Sequence, residues 1–377
     1  MPNAPRAGPA FFVGKRAPGG HNSPAIMKHR IYRVAVLGAG AIGRDHIESF
    51  LKHPAARVIA LGETSPIRGR EVADQFGIPD LYQDYREILR RTDIDIVSIA
   101  LPNHLHAPVA LAALRAGKHV MLDKPMATSA PDAARLVAEA KRCRRLLMVG
   151  QNQRFTPAVQ TLRQLVERGV LGEVYHARAT WVRRSGIPRI GSWFTQRKFA
   201  GGGCTYDIGV HVLDQTLYLL GEFEAATVSG QTYAKFGPRG RANGAWGKSE
   251  IDPRLPFDVD DFSVAFIRLK SGRTVLLETA WAAHLPVPDI NGTQLFGTEA
   301  GATTNPLQLF RSGRREYLVE TPALRRPRVN PNRMVHFINV LLGRERPHVP
   351  PEQSLAVQKI LDAIYRSAAT GREVRLR

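Results

Sequence analysis

Three glycines in the segment GAGAIG, residues 38–43, have the spacing of a phosphate-binding turn. They follow an apolar run and precede a helical pattern, so the turn joins a predicted strand to a predicted helix. The first glycine permits the tight turn, the second lets a pyrophosphate approach the backbone, and the third lets helix and strand pack closely. Because the helix N-terminus adds unpaired N–H groups, the segment predicts a dinucleotide site. Glycines that serve only turn and packing are the alternative. The predicted binding residues are Gly38, Gly40, Ala41, Ile42 and Gly43.

Glu63 and Arg68 follow the second predicted strand and bear on the choice of cofactor. Glu63 stands 20 residues after Gly43, where a carboxylate can accept hydrogen bonds from the hydroxyls of an adenosine ribose. The same charge would repel the 2′-phosphate of NADP, so the sequence favours NAD. Arg68 could accommodate that phosphate if the loop turned differently, and NADP therefore stays open as the alternative cofactor.

Lys124 follows a third apolar run, within the triplet Asp123-Lys124-Pro125. If that run is a parallel strand, the lysine lies at the carboxyl edge of the sheet, where ligands of such folds bind. An ammonium group there can donate a hydrogen bond to a substrate hydroxyl and stabilise a developing alkoxide. Pro125 favours an extended backbone at Lys124. A solvated lysine in a turn is the alternative.

A glycine run at residues 201–203 precedes Asp207 and His211. The two residues are four positions apart, so they share one face if the segment is helical. An imidazole with a pKa of about 6.5 suits removal of a hydroxyl proton at neutral pH, and a nearby carboxylate can orient it or bind the substrate. A helix-capping Asp207 and a packed His211 would explain the pattern equally well.

The first part of the chain alternates apolar runs with amphipathic segments. Such alternation predicts a parallel sheet with helices on both faces. The carboxyl edge of that sheet would bring the glycine turn, Glu63 and Lys124 together. The predicted strands lie at 31–37, 57–63, 94–102, 119–123 and 146–150, and the predicted helices at 42–53, 67–76, 84–91, 107–116 and 129–144.

After Gln151 the pattern becomes rich in strands, with Ser271-Gly272 as a hairpin turn between two of them. The fold class we expect is therefore α/β, with a second, α+β part built on a large and mostly antiparallel open sheet. A long loop is expected over 235–257. The predicted strands are 173–182, 225–234, 261–270, 273–283, 290–297 and 315–320, and the predicted helices are 157–168, 206–220, 332–343 and 351–368.

The composition is that of a soluble globular protein of two domains, with 377 residues, 44% hydrophobic, and two cysteines. Two cysteines exclude a disulfide framework and argue against a cysteine-based zinc site. No stretch has the length of a membrane span, and residues 1–26 show no export signal but the Pro, Gly and Ala content of a disordered leader. We therefore expect a cytoplasmic protein.

The net charge of +20 raises the question of nucleic acid binding. About half of the excess lies in residues 1–30 and 311–346, and no aromatic platform or recognition-helix pattern accompanies it. We expect no nucleic-acid partner. His104 and His106 have no third ligand nearby in sequence, so no metal is expected either.

Together these motifs resemble the Gfo/Idh/MocA family, named after glucose–fructose oxidoreductase, inositol dehydrogenase and a rhizopine catabolism protein. The resemblance extends from about Ile31 to Arg377; each motif alone is weak, but their order and spacing are specific. The markers are GAGAIG, PNHLH at 102–106, DKP, LLMVGQNQRF at 146–155, GGGCTYDIGVHVLD at 201–214 and ILDAIYRSAATGREVRL at the end. The resemblance implies a Rossmann domain, here 27–150, and an α+β domain, here 151–377, whose open sheet often forms the oligomer interface. A homodimer or homotetramer is therefore expected.

The resemblance also implies roles for individual residues. It makes Lys124 the catalytic lysine, Asp207 the substrate-binding aspartate and His211 the histidine that transfers a proton. Family members mostly carry Glu at the position of Asp123, which is one methylene shorter. The residues expected on the nicotinamide side of the cleft are Pro102, Asn103, His106, Asp123 and Lys124.

Further side chains are expected near the substrate. Arg154 matches a position close to the substrate in relatives, although a salt bridge at the domain boundary is an equal alternative. Trp193 could stack on a sugar face or anchor its glycine-rich loop. Arg183 and Arg184 could hold a carboxylate or phosphate substituent, or form a solvated pair.

The sequence thus predicts an NAD(P)-dependent oxidoreductase that transfers hydride between nicotinamide and a secondary alcohol of a cyclic polyol, sugar or sugar derivative. Two alternatives stay open. One is a glycosidase that uses NAD for transient oxidation, and the other is a non-catalytic sugar or nucleotide sensor. The presence of Lys124, Asp207 and His211 argues against the sensor.

Overall fold

The computed structural model describes residues 30–246 and 249–376. The predicted leader, residues 1–26, lies outside the described residues. From Ile31 onward the chain forms two large sheets with helices packed against them.

The first sheet has six strands, all parallel, in the order β3-β2-β1-β4-β5-β6. The strand order reverses between β1 and β4, which opens a crevice at their carboxyl ends. The alternating pattern predicts every strand except β3, which is too short to show a period. The strands are β1 (Tyr32–Leu37), β2 (Ala56–Gly62), β3 (Asp80–Tyr82), β4 (Ile96–Ile99), β5 (His119–Leu122) and β6 (Leu147–Val149).

Helices cover both faces of this sheet. Alternate residues of β1 belong to two different apolar clusters, with Val34 and Val36 in one and Ala35 and Leu37 in the other. A strand buried on both faces is a continuous apolar run, as the sequence of β1 shows. The connecting helices are α1 (Ala41–Leu51), α2 (Pro66–Phe76), α3 (Tyr85–Arg90), α4 (Asn103–Arg115) and α5 (Ala130–Cys143).

The second sheet has nine strands in the order β16-β15-β14-β13-β7-β12-β11-β9-β17. All neighbouring pairs are antiparallel except β7 and β12. A separate small sheet pairs β8 with β10. The strands are β7 (Val174–Arg183), β8 (Ile187–Pro188), β9 (Ala225–Tyr233), β10 (Asn243–Gly244), β11 (Phe262–Leu269), β12 (Thr274–Ala280), β13 (Asp289–Gly297), β14 (Gly301–Thr304), β15 (Leu307–Ser312), β16 (Tyr317–Glu320) and β17 (Val374–Arg375).

The predicted fold class is confirmed, and the hairpin between β11 and β12 turns at Gly272, whose φ is +93°. Apart from β3 and the two-residue strands β8, β10 and β17, the strands that the sequence did not predict are β14 and β15. Their sequences, GATT and LQLFRS, flank Asn305-Pro306 and contain too few apolar residues in a row to give a strand pattern. In the described residues of the predicted loop, 235–246 and 249–257, the regular elements are the two-residue β10 and a short 3₁₀ helix.

Five helices accompany the second sheet, and the last two also pack back onto the first. Met334 and Phe337 of α9 lie in one apolar cluster with Val34 and Met121 of the first sheet. The C-terminal segment therefore holds the two halves together, and the division into domains at residue 150 stays a prediction. The helices are α6 (Pro157–Glu167), α7 (Arg197–Ala200), α8 (Val210–Leu220), α9 (Arg333–Leu341) and α10 (Pro351–Thr370).

None of the helices in the described ranges combines the length and the apolar content that a membrane crossing requires.

Candidate active site

The glycine turn has the geometry that its sequence predicts. Gly38 adopts a φ of +98°, and a Cβ there would lie 2.3 Å from the backbone oxygen of Ala100. A Cβ at Gly43 would lie 1.8 Å from the backbone oxygen of Gly38, so only glycine allows helix α1 to approach the turn. At Gly40, by contrast, no heavy atom lies within 4 Å of the Cβ position. The turn is thus closed on the protein side and open at Gly40.

Glu63 lies at the end of β2 against this turn and is held by four donors. One carboxylate oxygen accepts from the backbone N–H of Ala39 at 2.9 Å, and the other accepts from the N–H of Ser65 at 3.0 Å and from Arg68 at 2.8 Å. The hydroxyl of Thr64 also donates to it, at 3.3 Å. Burial alone would raise the pKa of Glu63, but the hydrogen bonds from Arg68, Ser65 and Ala39 keep it below its ordinary value. The carboxylate is therefore charged at neutral pH.

These residues fit a dinucleotide. Helix α1 begins after Gly40 without a side-chain cap, so its first N–H groups face the turn. The space at Gly40 admits a pyrophosphate, and the charged Glu63 suits a free ribose hydroxyl better than a phosphate. Arg68 neutralises part of that charge, and its Nε is buried without a hydrogen-bond partner among the described residues. Ala41 and Ile42 form the first turn of α1, as predicted for the pyrophosphate side.

Predicted nicotinamide-side residues cluster at the start of α4, and two of them also bind other parts of the chain. Both ring nitrogens of His106 lie near backbone oxygens, at 2.7 Å from Pro125 and 2.8 Å from Leu101, and the ring is buried. The ring fixes the loop that carries Lys124, and a cofactor contact of His106 stays a prediction. The Asn103 amide donates to the backbone oxygen of Ala200 at 2.8 Å, which joins the two halves. A cofactor contact of Asn103, and of the preceding Pro102, stays a prediction.

Lys124 and Asp207 form an ion pair across the two halves of the chain. The Lys124 ammonium donates to Asp207 Oδ1 at 2.8 Å and to the Asp207 backbone oxygen at 3.0 Å. The indole N–H of the fully buried Trp281 donates to Asp207 Oδ2 at 2.8 Å. An ammonium has three N–H donors, so one of them has no partner among the described residues. Sequence reasoning did not find Trp281.

Asp207 lies in a π-helical turn, Thr205–Gly209, that leads directly into α8. The carboxylate of Asp260 fixes the start of this turn, since it accepts from the backbone N–H groups of Gly203 and Thr205 and from the hydroxyls of Thr205 and Tyr365. A Cβ at Gly203 would lie 1.8 Å from the backbone oxygen of Asp260, which explains the glycine there. The sequence predicted an ordinary helix here; π-turns are common at functional sites.

His211 follows on the first turn of α8. Its Nδ1 is buried without a hydrogen-bond partner among the described residues, and its ring lies 5.6 Å from the Trp181 ring. Burial, followed by the positive charge of Lys124, holds the pKa of His211 well below its ordinary value, with Arg333 and Arg183 adding to the effect. The imidazole is therefore neutral at physiological pH, as a proton acceptor must be.

Arg154 does not reach this cleft. Its side chain is fully buried and donates to both oxygens of Asp214, at 2.7 and 2.6 Å, to the backbone oxygen of His348 and to Gln353. With its donors bound to protein groups, it is not available to a substrate. The prediction of a substrate contact is therefore corrected, and the salt-bridge alternative describes the geometry.

Trp193 stacks on Phe194, with ring centroids 3.7 Å apart, and Trp246 packs edge-on against Phe194. The stack accounts for one face of the indole, as the loop-anchoring alternative requires. A sugar contact of Trp193 stays a prediction.

Asp123 and Arg333 meet around Gly150 at the rim of the cleft. A Cβ at Gly150 would lie 3.2 Å from Asp123 Oδ1 and 3.6 Å from Arg333 Nε. The Nε of Arg333 is buried without a partner among the described residues, while its terminal nitrogen pairs with Asp45 of α1. Arg333 comes from the far end of the chain, so no local pattern could have placed it here. Asp123 stays a predicted ribose ligand.

Comparisons with known proteins identify the family of both parts of the chain. Residues 32–151 match an oxidoreductase family described as having an NAD-binding Rossmann fold, and residues 159–303 match the GFO/IDH/MocA C-terminal domain. The D-glucoside 3-dehydrogenase of Escherichia coli is 31% identical over 349 residues, which cover 91% of this chain and 97% of that protein. The levoglucosan dehydrogenase of Pseudarthrobacter phenanthrenivorans is 33% identical over 267 residues, 67% of this chain and 68% of that protein.

Solved structures give the same picture. A levoglucosan dehydrogenase in complex with NADH superimposes with a TM-score of 0.79 at 26% identity, covering 92% of this chain and 100% of that chain. A complex with NADH and levoglucosan gives 0.78 at the same identity. The chain therefore belongs to the Gfo/Idh/MocA family of NAD-binding oxidoreductases, a family of sugar and polyol dehydrogenases.

Proposed function

We propose that the protein oxidises a secondary ring hydroxyl of a sugar or cyclic polyol, with Lys124, Asp207 and His211 as the reacting centre. The observation that carries the proposal is the ion pair of Lys124 and Asp207 beside a neutral His211. The pair retains an unused N–H donor, and the histidine retains an unpartnered ring nitrogen. Both unused groups are what an alcohol requires when it loses a proton.

NAD⁺, when bound, supplies the acceptor for the hydride that leaves the carbinol carbon. His211 accepts the hydroxyl proton, and its lowered pKa keeps the ring neutral before the reaction. The free N–H of Lys124 donates to the developing alkoxide and stabilises its charge. Asp207 fixes the ammonium group, and Trp281 in turn fixes Asp207. The buried ring of His106 holds the loop after Lys124 in place.

The class of substrate is supported by the relatives. The D-glucoside 3-dehydrogenase covers nearly the whole chain, and the levoglucosan dehydrogenase also acts on a glucose-derived ring. We therefore place hexopyranoses and their glycosides ahead of inositols as substrates of this protein.

A panel of glucosides, levoglucosan, inositols, aldoses, sugar acids and nucleotide sugars, assayed for NADH absorbance, tests the proposal. We expect turnover with at least one pyranose ring compound and loss of that turnover in His211→Ala. Tightly retained cofactor and release of an aglycone without net NADH would instead indicate the glycosidase alternative. A panel without turnover, at saturating NAD, would contradict the proposal.

We also propose that the protein is a cytoplasmic homo-oligomer. The end of the second sheet exposes apolar side chains, with Tyr317 at 87% and Val319 at 60% exposure, and a second copy could cover them. Light scattering on the purified protein tests this, and a monomer at micromolar concentration would contradict it.

A further inference from the structure

The last residues of β7 place an arginine next to the proposed reacting centre. Trp181 and Arg183 are two positions apart in a strand, so they project from the same face of the sheet. The Arg183 guanidinium carbon lies 5.1 Å from the Trp181 ring centroid, and the Trp181 ring lies 5.6 Å from the His211 ring. Only one side chain therefore separates the Arg183 cation from the histidine.

No carboxylate in residues 30–246 and 249–376 forms an ion pair with Arg183. Its side chain is half-buried, yet no hydrogen bond or ion pair of its guanidinium occurs among the described residues. Its cross-strand neighbour is Asp289, but that carboxylate accepts from the Asn291 amide and makes no ion pair with Arg183. The Trp181 ring offsets part of the hydration that this half-buried cation loses, and the negative charge of a ligand would supply the hydrogen bonds that its N–H groups lack.

The neighbouring Arg184 differs from Arg183 in that its guanidinium is hydrogen-bonded to the protein. Its guanidinium donates to the backbone oxygens of Leu285 at 3.0 Å and of Pro286 at 2.6 Å, so its donors fix a loop. The two arginines are adjacent and equally charged, and only Arg183 has unused donors beside the cleft. Arg184 is therefore a matched control for Arg183.

The surroundings of Arg183 are shaped to hold it. A Cβ at Gly186 would lie 3.1 Å from Arg183 Cδ, so a larger residue at position 186 would crowd the aliphatic part of the Arg183 side chain. The indole N–H of Trp181 is buried and has no hydrogen-bond partner among the described residues. A donor of this kind, next to an unpaired guanidinium, is complementary to an oxygen-rich anion. The net charge of +20 would also attract an anionic substrate toward the protein.

We propose that Arg183, with the indole N–H of Trp181, forms an anion subsite that binds a carboxylate or phosphate substituent on the sugar substrate. The proposal rests on the proposed function and deepens it: the ring hydroxyl reacts at His211 while the charged substituent is bound one side chain away. Sugar acids and sugar phosphates, or glycosides that carry such a group, are the corresponding substrates.

Substrates that differ only in charge test the subsite. Methyl glucoside, methyl glucuronoside and methyl glucoside 6-phosphate share the ring and differ at one substituent. We expect the wild-type protein to have a higher kcat/KM for one or both anionic compounds than for methyl glucoside. Comparison of the glucuronoside with the 6-phosphate shows whether the subsite prefers a carboxylate or a phosphate. Arg183→Gln should lower kcat/KM for the preferred anion by roughly 10- to 100-fold, the effect expected for a charged hydrogen bond, and should lower kcat/KM for methyl glucoside by a clearly smaller factor.

Two further variants complete the test. Arg184→Gln should leave the preference for anions unchanged, and Arg183→Lys should recover part of it, because the charge is kept but the planar fork is lost. Equal kcat/KM for charged and neutral sugars in the wild type, or equal losses in Arg183→Gln and Arg184→Gln, would overturn the subsite. If no ring compound is turned over, the proposed function fails; calorimetric binding of methyl glucuronoside against methyl glucoside in the presence of NAD then still decides the subsite.

Discussion

Two buried ion pairs, whose aspartates lie seven residues apart along one helical stretch, differ in the hydrogen-bonding groups that they leave unused. Asp207 pairs with Lys124, whose side chain retains 12% exposure, and Asp214 pairs with Arg154 at 0% exposure on both sides. Each pair joins a loop that follows a first-sheet strand to the helical region of α8. Their positions are therefore alike, and their surroundings differ.

The difference lies in the hydrogen bonds that are left over. Arg154 uses its donors on Asp214, Gln353 and a backbone oxygen, so the pair is closed to any ligand. Among the described residues one N–H of Lys124 has no acceptor, and the nearby His211 Nδ1 has no hydrogen-bond partner. Unused donors and acceptors inside a fold cost stability, and they are kept where a ligand completes them. An open pair therefore indicates chemistry, and a closed pair indicates folding.

The largest effect should follow from removal of the proton acceptor beside the open pair. We expect His211→Ala to lower turnover by roughly 10²–10⁴-fold, the usual contribution of general acid–base catalysis. NAD affinity should stay within a small factor, because the glycine turn belongs to the other sheet. Steady-state kinetics and calorimetry measure both quantities.

The double variant with Lys124→Ala provides the control. If both groups serve one transition state, the two losses should not multiply, since residues that act as a unit are strongly non-additive. Multiplying losses would mean that the two residues act in separate steps, against the mechanism proposed here.

Removal of Arg154 from the closed pair should lower the stability of the protein. Arg154→Met leaves Asp214 buried without its partner, which we expect to cost about 3–5 kcal/mol in the free energy of unfolding. Denaturant unfolding measures this cost. A loss of turnover per folded molecule, with unchanged stability, would return Arg154 to the substrate site from which the structure removes it.

Sequence patterns are informative where a local backbone rule applies. The spacing of Gly38, Gly40 and Gly43 predicted the turn because Gly38 and Gly43 lie where a Cβ would clash with nearby backbone, while Gly40 leaves the space beside the turn open. Patterns fail where the partner is distant in sequence. Trp281 and Arg333 reach the site from other elements, and Arg154 could not be told apart from a ligand until Asp214 was seen beside it.

The pH dependence should follow from the environment of His211. Burial and the charge of Lys124 lower its pKa below the ordinary value of 6.5. A proton acceptor works only when neutral, so kcat/KM for oxidation should decline on the acid side only at a pH below 6.5. A pH profile of kcat/KM measures this. An acid limb centred above pH 6.5 would mean that the negative charge of Asp207 outweighs burial and the charge of Lys124 at His211.

The smallest effect should appear at the cofactor turn. We expect the wild-type protein to bind NAD at least about tenfold more tightly than NADP, because Glu63 is charged at the ribose position, and Glu63→Gln should narrow that ratio. Calorimetry with both cofactors measures it. Equal affinities in the wild type would show that Arg68 offsets the charge of Glu63 entirely.

The most direct test exchanges the two aspartates for their uncharged isosteres, one at a time. Turnover and melting temperature are measured together for Asp207→Asn and Asp214→Asn on a ring substrate at saturating NAD. Asp207→Asn should lose turnover by about 10²-fold or more, because the ammonium of Lys124 is no longer held in place. Its melting temperature should change little, because that ammonium still reaches solvent in the cleft. Asp214→Asn should lose stability and keep its turnover per folded molecule. Normal turnover in a folded Asp207→Asn protein would contradict the account.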